Sequence, residues 1–184
     1  NNVSRREILK SSAGLAGLGV FGTSMEERFK KADLAVGADL KGKVQHSACR
    51  WCYDKIPFEE LIVNAKRIGL SSIELTGPEE WDILKKYDMT AAIGWGKYPA
   101  GMNIPNFFNK VKNHDALVGF YEDIIPKAAK AGVKNIITFS GNRDGMSDED
   151  GLINCKKGLQ RIMKTAERYD VTISMELLNS KVNH

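Results

Sequence analysis

Short apolar runs alternate along this chain with stretches of helical period, and that alternation restricts its possible folds more than any other feature. Residues 44–50, 72–76, 90–95, 135–139 and 171–178 read as strands. After the first, Pro57 opens a helix whose Phe58, Leu61, Ile62, Ala65 and Ile68 follow the 3.6-residue period, and Gly69 closes it. Gly77-Pro78 breaks the chain before a short helix through Trp81, Leu84 and Lys85. A loop with Pro99, Gly101 and Pro105 precedes a long helix that sets Leu117, Tyr121, Ile124, Ile125 and Ala128 on one face and ends at Gly132. Asp148 and Asp150 start the last helix, where acid suits the helix dipole, and Leu152, Cys155, Leu159, Ile162, Met163 and Ala166 form its stripe.

Strands that alternate with helices imply a parallel sheet, with each strand buried on both faces. Two α/β layouts meet that requirement, the open doubly wound sheet and the eight-stranded TIM barrel. No Gly-x-Gly-x-x-Gly and no Walker-type loop follows any strand, which removes the nucleotide-binding versions of the open sheet. The barrel is therefore the expected fold, with only about its first five strands in this chain. Five strands cannot close it, so residues 44–184 are expected to be the N-terminal part of the domain, inactive and aggregation-prone in isolation.

Hydrophobic residues at 42% and charged residues at 27% are ordinary for a soluble protein. The net charge of +4 is modest, and no basic cluster interleaves with aromatics, so nucleic acid is not an expected partner. Part of the positive excess lies in Ser4-Arg5-Arg6-Glu7-Ile8-Leu9-Lys10, which precedes a weakly apolar run at 13–21. This layout resembles a twin-arginine signal, departing from its S-R-R-x-F-L-K pattern only at Ile8. The resemblance implies the twin-arginine export machinery as a partner and a periplasmic or membrane-anchored location. The run is well short of the roughly 20 residues that span a bilayer. Residues 1–22 are thus read as the signal and the polar, glycine-dotted stretch 23–43 as a linker.

Cys49 and Cys52 form a C-x-x-C, but the second pair that a structural zinc site needs is missing. They fall at a strand end, whereas a redox C-x-x-C opens a helix. Two structural cysteines are the expected reading, with a disulfide or a redox role as the alternative.

Glu176 is the foremost candidate for chemistry. Met175 and Leu177 flank it in an apolar strand, where an ionised carboxylate is costly unless paired or bound to metal. By alternation it faces away from both neighbours, toward a barrel's interior, and a buried structural glutamate is the competing reading. Trp51 and Trp95 fall at the C-terminal ends of the first and third strands, where a barrel starts its substrate-facing loops, so either could stack on a substrate or simply pack. Asn179 could orient Glu176 or touch substrate, and Glu74 lies mid-strand like Glu176. Ser140 lacks a Gly-x-Ser-x-Gly elbow and is no nucleophile.

Glu176-Leu-Leu-Asn179-Ser-Lys-Val-Asn183-His184 resembles the fifth-strand motif of the sugar isomerase and epimerase barrels, the xylose isomerase-like superfamily. Together with residues 139–146 and the Asp-Glu-Asp-Gly-Leu helix start, it looks closest to the hydroxypyruvate isomerase-like branch. The resemblance implies a divalent metal, magnesium or manganese, held by two glutamates, an aspartate and a histidine, with the glutamates also moving a proton on an α-hydroxycarbonyl substrate. Glu176 would be the first of those glutamates, as metal ligand and acid–base group; the other ligands would lie on later strands. Several ketose 3-epimerases carry a further glutamate six residues on, where this chain has Val182, which favours the isomerase-like branch. The expected partner is a small sugar or hydroxy-keto acid, and the whole protein could form a homo-oligomer. The alternative is an exported barrel that binds a carbohydrate or a partner without turnover.

Overall fold

The computed structural model describes residues 44–178. The expected signal and linker, as well as Asn179 and His184, lie outside the described residues. Strands β1 (Ser47–Cys49), β2 (Ser72–Glu74), β3 (Asn135–Thr138) and β4 (Thr172–Met175) alternate with helices α1 (Phe58–Arg67), α2 (Pro78–Lys86), α3 (His114–Ala131) and α4 (Asp148–Tyr169). Short 3-10 turns at Arg50–Tyr53 and Val111–Asn113 complete the set. No helix among the described residues is long and apolar enough to cross a membrane.

β1 pairs with β2 in parallel, Ala48 opposite Ile73, and β3 pairs with β4 in parallel, Ile136 opposite Ile173. The strand expected at 90–95 joins these pairs, though as separate bridges rather than a regular strand. Thr90 bridges Ser72, and Gly94 bridges both Thr76 and Ile136. Its backbone bonds run both ways: Ile73 N donates to Thr90 O (3.1 Å), and Ile137 N donates to Gly94 O (3.0 Å).

The parallel segments therefore stand side by side in chain order. A doubly wound sheet would reverse that order at a switch point, whereas a barrel adds each strand beside the last. Successive helices pack on one another, α2 on α3 and α3 on α4, as an outer ring requires.

Small residues explain why the third segment is irregular. Thr90-Ala91-Ala92-Ile93-Gly94 carries little bulk, and neighbours fill the space. A Cβ at Gly94 would lie 2.8 Å from Trp81 Cζ2 and 3.0 Å from Ile136 Cδ1. Trp81 is buried there with its indole N–H on Thr76 O at 3.0 Å. Gly94→Ala should consequently destabilise the protein by about 1–3 kcal/mol through overpacking. An unchanged denaturation midpoint would contradict that packing.

The strands are shorter than the apolar runs suggest, because each needs a partner. The run 171–178 pairs only over Thr172–Met175, and Glu176 N on Thr138 O (3.0 Å) is the last cross-strand bond, at the end of β3. Leu177 beyond it is 97% exposed. β2 stops as abruptly, because Leu75 turns to a positive φ of 57°.

The core lies between helices and sheet, around Ile62, Ile73, Leu84, Ile125, Ile136 and Ile162. Two expected stripe members are exposed instead: Ile68 is the C-cap of α1, and Leu152 lies in the first turns of α4 beside an open groove. Gly158 brings α4 against the start of α3, since a Cβ there would lie 2.5 Å from Phe108 Cδ1 and 2.9 Å from His114 Nε2.

Candidate active site

The C-terminal ends of the parallel segments surround one cleft of about 850 Å³. β1 runs into the 3-10 turn, which sets Trp51 on the cleft rim, 69% exposed. Arg50 holds that turn: its Nε donates to Glu80 Oε1 (3.1 Å) and its Nη1 to Tyr53 O (3.0 Å), with the guanidinium over the Phe58 ring. Glu80 in turn accepts from Gly77 N (3.2 Å) and so caps α2.

Trp95 is placed by its own backbone, whose N–H donates to Thr76 O at 3.0 Å, and its side chain is 42% exposed. Its ring meets Tyr98 edge-on at 6.0 Å. Tyr98 is braced by Phe107 and Phe120, both with centroids at 4.9 Å, and by Phe139 at 6.0 Å. Its hydroxyl is 3.5 Å from Ile137 O, an acceptor that the Tyr121 hydroxyl already engages at 2.9 Å. Burial pushes the Tyr98 phenol well above its ordinary range, and the Glu176 carboxylate adds to the rise. Tyr98 thus stays protonated and able to donate.

Glu176 lines this cleft and a smaller one of about 390 Å³ beside the loop after β3. Its side chain is exposed among the described residues. The cause is the end of β3 at Thr138: with no further partner the strand stops and Glu176 stands just beyond it. In the loop after β3, Gly141 has φ 104°, and a Cβ there would collide with Asn109 Oδ1. Asn109 fastens that loop through its N–H on Ser140 O (2.7 Å) and its Nδ2 on Asn142 O (2.5 Å).

No protein-family model matches the chain, and no curated protein matches it either. Solved structures do. D-psicose 3-epimerase from Clostridium cellulolyticum, solved with D-tagatose, superposes with a TM-score of 0.58 at 13% identity, over 77% of this chain and 55% of the other. A sugar phosphate isomerase/epimerase from Parabacteroides distasonis gives 0.57 at 9% identity, over 75% and 52%. A 3-keto-D-glucoside 4-epimerase from E. coli gives 0.55 at 15% identity, over 74% and 57%. The fold is part of a TIM barrel of the kind these structures share. The chain spans about half the length of these barrels.

In barrel terms the cleft is at the C-terminal face, where the strand ends carry the loops. Three of the residues singled out in the sequence, Trp51, Trp95 and Glu176, line it together, and the fourth, Asn179, lies outside the described residues. Glu74 ends β2 half-buried and is not among the lining residues. Tyr98 was missed, since it sits in an aperiodic loop and its partners are distant in sequence.

As a metal centre the described residues are incomplete. No three His, Cys, Asp or Glu side chains among them gather as a metal would need. Glu176 offers a single carboxylate toward such a centre.

Proposed function

We propose that the whole protein is a sugar isomerase or epimerase in which Glu176 moves a proton beside a substrate carbonyl. The observation that carries this reading is one glutamate at a barrel's catalytic face, sharing a cleft with Trp51 and Trp95. The D-psicose 3-epimerase and 3-keto-D-glucoside 4-epimerase structures, which share the fold, support it.

The chemistry follows from the substrate. The C–H beside a carbonyl is weakly acidic, and removing its proton gives an enediolate that can be reprotonated at a different carbon or on the opposite face. Glu176 is exposed and sits where a ligand can reach it, so its carboxylate can take that proton and a returning acid can replace it. Trp51 and Trp95 offer apolar faces to the sugar ring, and the Tyr98 hydroxyl a donor for one of its oxygens. A divalent metal, magnesium or manganese, would polarise the carbonyl, with Glu176 as one carboxylate ligand and the remaining ligands outside the described residues.

The charge around the cleft narrows the substrate. Among the described residues, Asp54, Glu79, Glu80 and Glu176 face Arg50 and Lys97, and Arg50 is already paired with Glu80. Such a lining disfavours an anion, so we take an uncharged sugar over a hydroxy-keto acid, against the hydroxypyruvate isomerase-like expectation from residues 139–146. The Ser4-Arg5-Arg6 signature supports placing this reaction outside the cytoplasm.

The test is calorimetric titration of manganese into the whole protein, followed by a ketose. Metal binding that weakens in Glu176→Gln and ketose binding that needs Trp51 would support the proposal. A protein that binds neither would overturn it. Trp51→Ala should raise KM about 2- to 10-fold with little change in kcat, since one aromatic contact contributes about 0.5–1.5 kcal/mol. An unchanged KM would remove Trp51 from the binding surface.

A further inference from the structure

We propose that Cys49 and Cys52 form a reversible disulfide that fixes the turn carrying Arg50 and Trp51 at the cleft rim. Cys49 is the last residue of β1 and the N-cap of the 3-10 turn Arg50–Tyr53, with extended backbone at φ −80°, ψ 124°. The C-x-x-C thus opens a helical turn as well as closing a strand, which the sequence did not suggest. Cys52 follows three residues on, inside the turn, and its side chain is near enough to act on the Cys49 thiol. Arg50 and Trp51, between them, line the cleft.

All three cysteines of the chain are free thiols in this structure, and they differ in access. Cys52 is exposed, Cys49 is half-buried at the strand end, and Cys155 is buried on α4. Burial raises the Cys49 thiol above its ordinary range, and the charge of neighbouring Cys52 raises it further. Cys49 therefore rests as a neutral thiol, and Cys52 is the sulfur an incoming reagent meets first.

The oxidant is a low-molecular-weight disulfide such as oxidised glutathione. Cys52, as thiolate, attacks one of its sulfurs; the glutathione S–S bond breaks and one glutathione leaves as thiolate. Cys49 then gives its proton to solvent and attacks the Cys52 sulfur in the mixed disulfide, releasing the second glutathione. The cysteine pair loses two electrons and two protons, the two glutathiones gain them, and excess reduced glutathione reverses the exchange. At the other edge of the turn, Arg50 already fastens it to Glu80 and to Tyr53 O. Closing the Cys49–Cys52 edge leaves Trp51 in one setting.

The experiment equilibrates the whole protein across glutathione buffers from reducing to oxidising, blocks thiols by alkylation, and maps the peptides by mass. We expect Cys49 and Cys52 to lose alkylation together in one transition, in a peptide lighter by two hydrogens, with Cys155 still reduced. Tryptophan fluorescence should change along the same transition, the change should vanish in Trp51→Phe, and Cys52→Ser should abolish the transition. A persistent glutathione adduct on Cys52 with Cys49 still alkylatable, or a disulfide joining two chains through Cys52, would overturn the pairing. A paired disulfide without a Trp51-dependent signal would overturn its control of the turn.

Discussion

On the proposed function, Glu176→Gln should lower turnover by the whole protein about 10²–10⁴-fold, the range expected for loss of a positioned acid–base group, and leave its melting temperature unchanged. Glutamine keeps the size and the hydrogen-bonding oxygen of the glutamate but cannot accept a proton. Stability is spared because the side chain is exposed and the residue's one ladder bond, to Thr138 O, is made by its backbone. The two readouts are thereby separated: steady-state kinetics on a ketose panel reports the chemistry, and thermal melting reports the fold. A variant that keeps wild-type turnover would remove Glu176 from the reaction. A variant that melts much lower would make it a structural residue.

Phe107→Ala has the largest expected effect on stability, about 3–5 kcal/mol, the range for deleting a buried aromatic ring. Against a total of about 5–15 kcal/mol, that is a large share. Phe107 has no exposed surface and makes edge contacts with Tyr98 (4.9 Å), Phe139 (5.4 Å) and Phe108 (5.5 Å). Those contacts tie the loop before α3 to the end of β3 and to one wall of the cleft. The loss should appear in denaturant unfolding, and ketose KM should rise with it as Tyr98 loses its brace. Destabilisation below about 1 kcal/mol would show that the ring is not packed as described.

The alternation of strands and helices, and the site at strand ends, were legible because both follow from local periodicity. Glu176, Trp51 and Trp95 could be found by asking which residues stand at the C-terminal end of each apolar run. What escaped depends on residues far apart in sequence. The extent of β4 is set by where β3 ends, and nothing in 171–178 encodes that. The third strand, expected at 90–95, forms only as bridges, with Gly94 making room for Trp81 and Ile136. Phe107, Phe108 and Asn113 are buried in a segment with no helical or strand period, so no pattern marks them as core. The sequence placed Glu176 within a longer strand, whereas β4 ends at Met175, one residue before it.

The most direct test of the account is proton exchange at the substrate carbon. The whole protein is incubated with an uncharged ketose in deuterium oxide, and the sugar is followed by NMR. The account predicts deuterium at the carbon beside the carbonyl, appearing with the isomerised or epimerised product and slowed about 10²–10⁴-fold in Glu176→Gln. A sugar that gains no deuterium, or gains it equally in wild type and Glu176→Gln, would contradict it.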